Sequence, residues 1–326
     1  MLNVAIIGCG PIGRKRAEAI KGIANLSFCH DINPGVAKQF ARDFACADSE
    51  SLDAILNNGK IDVVFIATRH DSLGLIAKQA LERGMNVFIE KPGGINNLAL
   101  QDVEKIAKVS KLHLHVGYNH RHHRGIRKAI QMAHAGEIGK ILFLRARYGH
   151  GGRVGYNNEW RADKDLSGGG ELIDQGTHLL DLSQAFLGTV SLEYGATPNY
   201  FWDMQVEDNA FIVVKNVAGS IGFLHASCTE WKNTFSLEVY GETGKLEING
   251  LGGSYGTEKL TYYKMLPEMG PPETNSWEYP MPDDSWKIEV EEFIRDIENR
   301  TDISSNLESS LEVLELVNEI YKGSGR

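Results

Sequence analysis

The run Gly8-Cys9-Gly10-Pro11-Ile12-Gly13 limits the fold more than any other stretch of the chain. It follows the apolar segment LNVAII and opens an amphipathic helical pattern, and in that strand-to-helix context G-x-G-x-x-G binds a dinucleotide. The first glycine permits the tight turn, the second lets backbone approach a pyrophosphate, and the third allows close helix packing. The amides at the helix start then face the phosphate charge. Asp31 ends the next apolar segment, where a carboxylate accepts hydrogen bonds from an adenosine ribose and repels a 2′-phosphate. NAD is therefore expected over NADP, with Lys38 or Arg42 the groups that would otherwise reach a 2′-phosphate. The competing reading has the glycines making a turn only and Asp31 capping the following helix.

The first third alternates β-branched runs with helical patterns. Strands are expected at LNVAII, LSFCH, DVVFIA, NVFIE and LHLHVG, with a short one near residues 44–47. Helices are expected at 12–21, 34–43, 51–57, 73–83 and 98–110, so βαβ units and a doubly wound parallel sheet follow for a domain of residues 1–120. After His120 come a helix near 126–135, the strand KILFLRARY, a glycine-rich loop and a helix over 171–187. Strands near 192–197, 209–215, 220–227, 234–240 and 245–249 then predict an antiparallel sheet in an α+β domain of residues 121–326. The helical pattern from Trp286 onward packs back on the body. Residues 266–284 hold five of the nine prolines and show no period, so they read as a surface excursion without a legible role.

With 326 residues and 42% hydrophobic content the chain can build about two domains without disulfide or metal staples. Its 43 acidic against 34 basic residues, net −9, exclude a phosphate-backbone footprint, so no nucleic acid is expected. Cys9, Cys29, Cys46 and Cys228 show no C-x-x-C pairing and read as reduced thiols. No apolar stretch reaches signal-peptide or spanning length, which makes the cytoplasm the default location and leaves no membrane partner. His113, His115, His120, His122 and His123 invite a metal reading, but no cysteine or acid stands at ligand spacing, and no metal is expected. No G-x-S-x-G elbow or phosphate-loop lysine supports a hydrolase or kinase.

Glu90-Lys91-Pro92 closes the strand NVFIE, and ligands of a doubly wound sheet bind outside the carboxyl ends of its strands. Lys91 there can donate to a substrate oxygen as it becomes alkoxide-like; a solvated loop lysine is the alternative. In the run Ser167 to Asp181, a helix from Glu171 sets Asp174 and His178 at i and i+4, where the carboxylate can orient the imidazole as an acid/base dyad. A helix-surface pair is the plainer possibility. The preceding segment YGHGGRVGYNNEWRADKDL is dense in groups that clamp polyhydroxylated or charged ligands. Trp160 and Arg161, then Arg153, are its candidate substrate contacts, the alternative being a subunit-interface loop.

Four motifs together, Gly8-x-Gly10-x-x-Gly13, Glu90-Lys91-Pro92, Gly117-Tyr118-Asn119-His120-Arg121 and Gly168-Gly169-Gly170-x-x-x-Asp174-x-Gly176-x-His178-x-x-Asp181, resemble the glucose-fructose oxidoreductase / inositol dehydrogenase / MocA family over essentially the whole chain. The resemblance implies a Rossmann domain followed by an α+β domain with a large open sheet, and carries the family's lysine, aspartate and histidine roles onto Lys91, Asp174 and His178. It implies a cis Lys91-Pro92 bond and NAD(P)-dependent hydride transfer on a sugar, cyclitol or nucleotide-activated sugar, the two arginines of the loop leaning towards an acidic or phosphorylated one. Cofactor contacts are expected at Gly8, Gly10, Pro11, Ile12, Gly13, Asp31, Ala67, Thr68, Glu90 and Lys91. Substrate contacts are expected at Lys91, Asn119, Arg121, Arg153, Trp160, Arg161, Asp174 and His178. Many family members carry Thr-Pro-Asn-His where this chain reads Ala67-Thr68-Arg69-His70, so Arg69 or His70 substitutes there, or neither does. An open sheet with one uncovered apolar face also implies a homodimer or homotetramer. Two other functions fit the same sequence: a glycosidase-type enzyme using NAD for transient oxidation, and a non-catalytic nucleotide-binding sensor.

Overall fold

In the computed structural model, which describes residues 1–301 and 304–325, the β-branched runs of the first third pair into one parallel sheet. Its strands are β1 (Asn3–Ile7), β2 (Asn25–His30), β3 (Ala47–Asp48), β4 (Val63–Ile66), β5 (Asn86–Glu90) and β6 (Leu114–Gly117), in the order β3-β2-β1-β4-β5-β6. Every residue of β4 is buried, as both faces of a parallel sheet covered by helices require. The helices are α1 (Pro11–Ile20), α2 (Pro34–Phe44), α3 (Leu52–Leu56), α4 (His70–Glu82) and α5 (Asn97–Ser110). Asn33 starts α2 by accepting the Gly35 and Val36 N–H groups, with Pro34 in the first turn. That helix runs on to Phe44 and closes in left-handed Ala45, so β3 begins later than the sequence places it.

The chain separates into two units, one of residues 1–118 and 286–311, the other of 119–285 and 312–326. The sequence boundary at residue 120 leaves the helix after Trp286 with the second domain, whereas α9 (Ser285–Asn299) completes the core of the first. Val290, Phe293 and Ile294 join Val4, Ile6, Phe65 and Phe88 there, and the Phe293 ring meets Phe88 edge-on at 5.3 Å. An apolar helical stripe announces that it is covered, not by which sheet, and so the assignment was not available from the pattern.

The second unit holds α6 (Arg124–His134), β7 (Ile141–Gly149), α7 (Lys164–Ser167), α8 (Thr177–Leu187), β8 (Val190–Ala196), β9 (Asn209–Asn216), β10 (Ile221–Ser227), β11 (Thr234–Gly241), β12 (Gly244–Asn249), β13 (Glu258–Lys264) and β14 (Glu273–Tyr279). The last helix, α10 (Ser304–Gly323), contributes to both units. Its eight strands form one sheet in the order β14-β13-β12-β11-β7-β10-β9-β8, with β7 and β10 parallel and the other neighbours antiparallel among the described residues. Phe235, Leu237 and Val239 of β11 are buried while Ser236 and Glu238 take the other face.

Two corrections concern this unit. Residues 266–284 are not a featureless excursion, because β14 lies within them and pairs with β13, a strand that the sequence pattern did not single out. As the edge strand, β14 is exposed along most of its length and lacks the apolar alternation that marks a half-buried strand. The helix expected over 171–187 is two pieces, a π-helical turn, Leu172–Gly176, leading into α8. No helix of the described residues is long and apolar enough to cross a membrane.

Candidate functional site

In the first unit, the glycine turn between β1 and α1 is shaped by its own backbone at two positions. Gly8 has φ +96°, and a Cβ there would lie 2.4 Å from the Ala67 carbonyl oxygen; a Cβ at Gly13 would lie 1.9 Å from that of Gly8. Gly10 differs: an added Cβ would meet nothing within 4 Å. Nothing inside the folded chain demands glycine at that position, so the bare backbone is left open at the N-cap of α1, which no side chain caps. Pro11 and Ile12 form the first turn behind it. Asp31 is held at the end of β2, its two oxygens accepting the Cys9 and Asn33 N–H groups at 2.9 Å each. A carboxylate has further lone pairs for a ligand hydroxyl. Ala67 donates its N–H to the Ile7 carbonyl at 2.8 Å, and the Thr68 hydroxyl accepts from Ser72.

At the end of β5 the Lys91-Pro92 bond is cis, as expected. The carboxylate of Glu90, just before it, takes the Nε–H of Arg16, which is 1% exposed. The same guanidinium donates through Nη1 to Glu289 of α9 at 2.7 Å and lies between the Phe88 and Trp286 rings, 4.3 and 4.4 Å from their centroids. His115 Nε2 stands 3.3 Å from the other oxygen of Glu289. Burial holds the Glu90 carboxyl above its usual range although Arg16 pulls it down, and Glu289 adds to the rise. Burial opposes the charge on Arg16, but Glu90 and Glu289 together raise its pKa.

In the second unit, Glu207 builds the start of the π turn. Its Oε1 accepts the Gly170 and Leu172 N–H groups at 3.0 and 3.1 Å, and a Cβ at Gly170 would fall 2.0 Å from its carbonyl oxygen. Asp174 sits in that turn and accepts the Nε–H of Arg161 at 3.1 Å. Burial opposes the Arg161 charge and Asp174 outweighs it, raising the pKa. Arg161 in turn lies 4.6 Å from the Trp160 ring centroid. His178, 4% exposed in the first turn of α8, stacks on His120 with centroids 3.8 Å apart, and Tyr148 meets both rings edge-on. The Tyr156 hydroxyl donates to Glu171 at 2.9 Å, and His150 Nε2 lies 3.6 Å from the same oxygen. Burial pushes the Tyr148 and Tyr156 phenols up. It opposes charge on His150, yet Glu171 and then Asp174 raise that imidazole overall.

The sequence candidates therefore separate. Arg161 joins Asp174 to the Trp160 ring, while Arg153 is exposed and clamped bidentately on Glu159 at 2.7 and 2.6 Å. Asn119 donates to Ser285 at 2.9 Å and Arg121 holds the buried Asp181 at 2.7 Å, so both brace the second unit's own frame. The i, i+4 spacing of Asp174 and His178 assumed an α-helix, and the π turn between them replaces it. Tyr148, His150 and Tyr156 were missed as individuals, though all lie in the polar aromatic segment that the sequence marks. Arg16 gave no signal, since Arg14-Lys15-Arg16 reads as a solvated helix face.

A parallel sheet with a glycine turn and a strand-end acid, joined to a unit that collects histidine, aspartate and arginine around one helix start, is the build of a two-unit oxidoreductase. The family model described as "Oxidoreductase family, NAD-binding Rossmann fold" matches residues 2–118, and that of the GFO/IDH/MocA C-terminal domain matches 126–247. The chain belongs to the GFO/IDH/MocA oxidoreductase family. It is 24% identical over 289 residues to a levoglucosan dehydrogenase of Pseudarthrobacter phenanthrenivorans, covering 76% of this chain and 73% of that protein. It is also 24% identical over 267 residues to an inositol 2-dehydrogenase of Rhizobium meliloti, covering 79% and 76%. A solved levoglucosan dehydrogenase in complex with NADH and levoglucosan superposes with a TM-score of 0.89 at 21% identity, covering 99% of this chain and 97% of that one.

Proposed function

We propose that this oxidoreductase transfers a hydride between NAD and a carbinol of a sugar, cyclitol or nucleotide-activated sugar, with Lys91, Asp174 and His178 as its catalytic residues. The observation that carries the substrate class is the cluster on the π turn, where Asp174, Arg161 and Trp160 offer an acceptor, donors and an aromatic face side by side. Convergent polar groups set among rings are what a polyhydroxylated ligand needs for orientation. Relatives named for levoglucosan and inositol support the same class. The turn also fits the cofactor: the open space over Gly10 and the uncapped start of α1 suit a pyrophosphate, and Asp31 suits the ribose. NAD, when bound, supplies the hydride acceptor. His178 removes the substrate hydroxyl proton, Lys91 stabilises charge developing on a substrate oxygen, and Asp174, with Arg161 beside it, fixes the protonated imidazole. A spectrophotometric NAD and NADP reduction screen across sugars, inositols and nucleotide sugars tests this reading; no turnover on any of the three classes would sink it.

Because Asp31 is fixed by two amides, a 2′-phosphate beside it meets a carboxylate that cannot swing away. NAD should bind more tightly than NADP, and Asp31→Ala should narrow the gap in fluorescence titrations. NADP affinity equal to or above that for NAD in the unaltered protein refutes the assignment.

The second sheet supplies a reason for self-association. Phe211 and Phe223 remain 38% and 49% exposed on the face opposite Ile212 and Leu224. A homodimer or homotetramer associating through this face is expected by light scattering, and a monomer at working concentration contradicts it.

A further inference from the structure

Two cationic side chains of the first unit stand where glycine is the easier residue. Helices α5 and α9 are each followed by a left-handed residue, Lys111 at φ +56° and Arg300 at φ +52°. The next amide closes each turn: Leu112 N–H donates to the Ala107 carbonyl at 3.2 Å, and Thr301 N–H to that of Asp296 at 3.1 Å. In this helix ending the left-handed position usually belongs to glycine, and α4 and α6 end in the same way on Gly84 and Gly136. Complementing the helix dipole does not account for Lys111, because a cation in the last turn does that without strain, as Lys108 does in α5. Side chains held on strained backbone are found at ligand clamps.

Both side chains border one cavity of about 750 Å³, inside the range of roughly 300–1,000 Å³ that small-ligand sites occupy. Ala107, Leu112, Leu114, Ile297 and Leu307 give it an apolar lining. Among the described residues neither Lys111 nor Arg300 makes an ion pair or a side-chain hydrogen bond, whereas Lys108 on the same cavity is held by Glu104 at 2.8 Å. His113 lines the cavity too. It is 6% exposed, and its Nδ1 is buried with no hydrogen-bond partner, a rarity that asks for one. Burial lowers the imidazole pKa against the pull of Asp296, so the ring is neutral at neutral pH. The wall is fixed from behind, since Asn86 Oδ1 accepts the His113 backbone N–H at 2.9 Å and Asn86 Nδ2 donates to the Asp62 carbonyl at 3.2 Å. Asn86 starts β5 and His113 precedes β6, while the glycine turn, Asp31 and Lys91 lie at the carboxyl ends of the same sheet. The length of β5, roughly 13 Å at a strand's usual rise, separates the cavity from Lys91.

The lining selects a ligand class. A guanidinium and an ammonium without partners call for an anion, and the apolar lining calls for a hydrocarbon body behind it. A neutral imidazole adds one further donor at most, which suits the two oxygens of a carboxylate better than the three oxygens and higher charge of a phosphate monoester. We propose that this cavity binds an aliphatic or aromatic carboxylate, at a site separate from the dinucleotide turn. Hydride transfer is not needed for it.

The test is isothermal titration of the full chain with benzoate and 3-phenylpropionate, against benzamide, 3-phenylpropionamide and phenyl phosphate, with and without saturating NAD. At least one carboxylate should bind roughly tenfold more tightly than its own amide, and Lys111→Gly and Arg300→Gly should each remove roughly that factor. Glycine relieves the left-handed strain, so both variants should melt no lower than the unaltered protein and keep its NAD affinity. His113→Leu should weaken the same carboxylate while NAD affinity stays unchanged. Four results overturn the proposal: carboxylates no tighter than their amides, phenyl phosphate preferred over both carboxylates, carboxylate binding unchanged in Lys111→Gly and Arg300→Gly, or displacement of the carboxylate by NAD. The first comparison uses the unaltered protein alone and so holds whatever the variants do.

Discussion

His178→Ala and Lys91→Ala should each lower turnover on the true substrate by roughly 10²-fold or more, in line with the usual contribution of a positioned acid/base or oxyanion-stabilising group, and leave NAD affinity near normal. The separation follows from structure: the glycine turn and Asp31 belong to β1, α1 and β2, and neither substitution touches them. For His178 the surroundings sharpen the expectation. Its ring is 4% exposed and stacked on His120, so alanine removes the imidazole without opening room for a bulk-solvent base to take the same path. Asp174→Asn should be costly as well, because it strips the charge that Arg161 is paired with. Steady-state kinetics with a parallel cofactor titration make the measurement. Near-full turnover in His178→Ala would move proton transfer to another group, with Lys91 the first to test.

Glu289→Ala should destabilise the first unit by about 3–5 kcal/mol, since it leaves Arg16 and Glu90 in a buried network that has lost one partner. Arg16→Ala should be at least as severe: it leaves two carboxylates facing each other out of water and empties the slot between Phe88 and Trp286. A drop of roughly 10 °C in the melting transition that reports on this unit is expected. Arg16→Met together with Glu90→Gln and Glu289→Gln should recover most of it, because a well-packed neutral set avoids the stranded charges. Melting temperatures within about 2 °C of the unaltered protein for the single variants would mean that the network is not closed in solution.

How legible this was depended on whether local pattern or distant partnership decides the outcome. The parallel sheet was readable because its strands are apolar on both faces and its glycine turn has its own signature; Val63-Val64-Phe65-Ile66 needs no knowledge of its neighbours. The strand Glu273–Tyr279 was not readable, since an exposed edge strand between prolines has no buried period to display. Asp174 and His178 became candidates through an i, i+4 spacing that assumes an α-helix, which the π turn replaces. The π turn arises from Glu207 capping the Gly170 and Leu172 amides across a sequence gap of 37 and 35 residues, which no local window contains. Glu90 was expected only as a cofactor contact beside Lys91, and the buried pairing of its carboxylate depends on Arg16 and, through it, on Glu289, 273 residues beyond that arginine.

That last distance bears on how the protein is made. Residues 119–285 interrupt a unit whose other parts are 1–118 and 286–311, and the second unit in turn ends with 312–326. As the chain emerges during synthesis, Arg16 and Glu90 exist long before Glu289, and Val4, Phe65 and Phe88 wait for Phe293. The nucleotide-binding part is the one whose interior is closed by α9, a helix made only after the whole sheet of the second unit. A nascent chain halted anywhere before α9 carries that interior open, with a buried arginine still short of one carboxylate and an apolar face still uncovered, the kind of surface on which chaperones act.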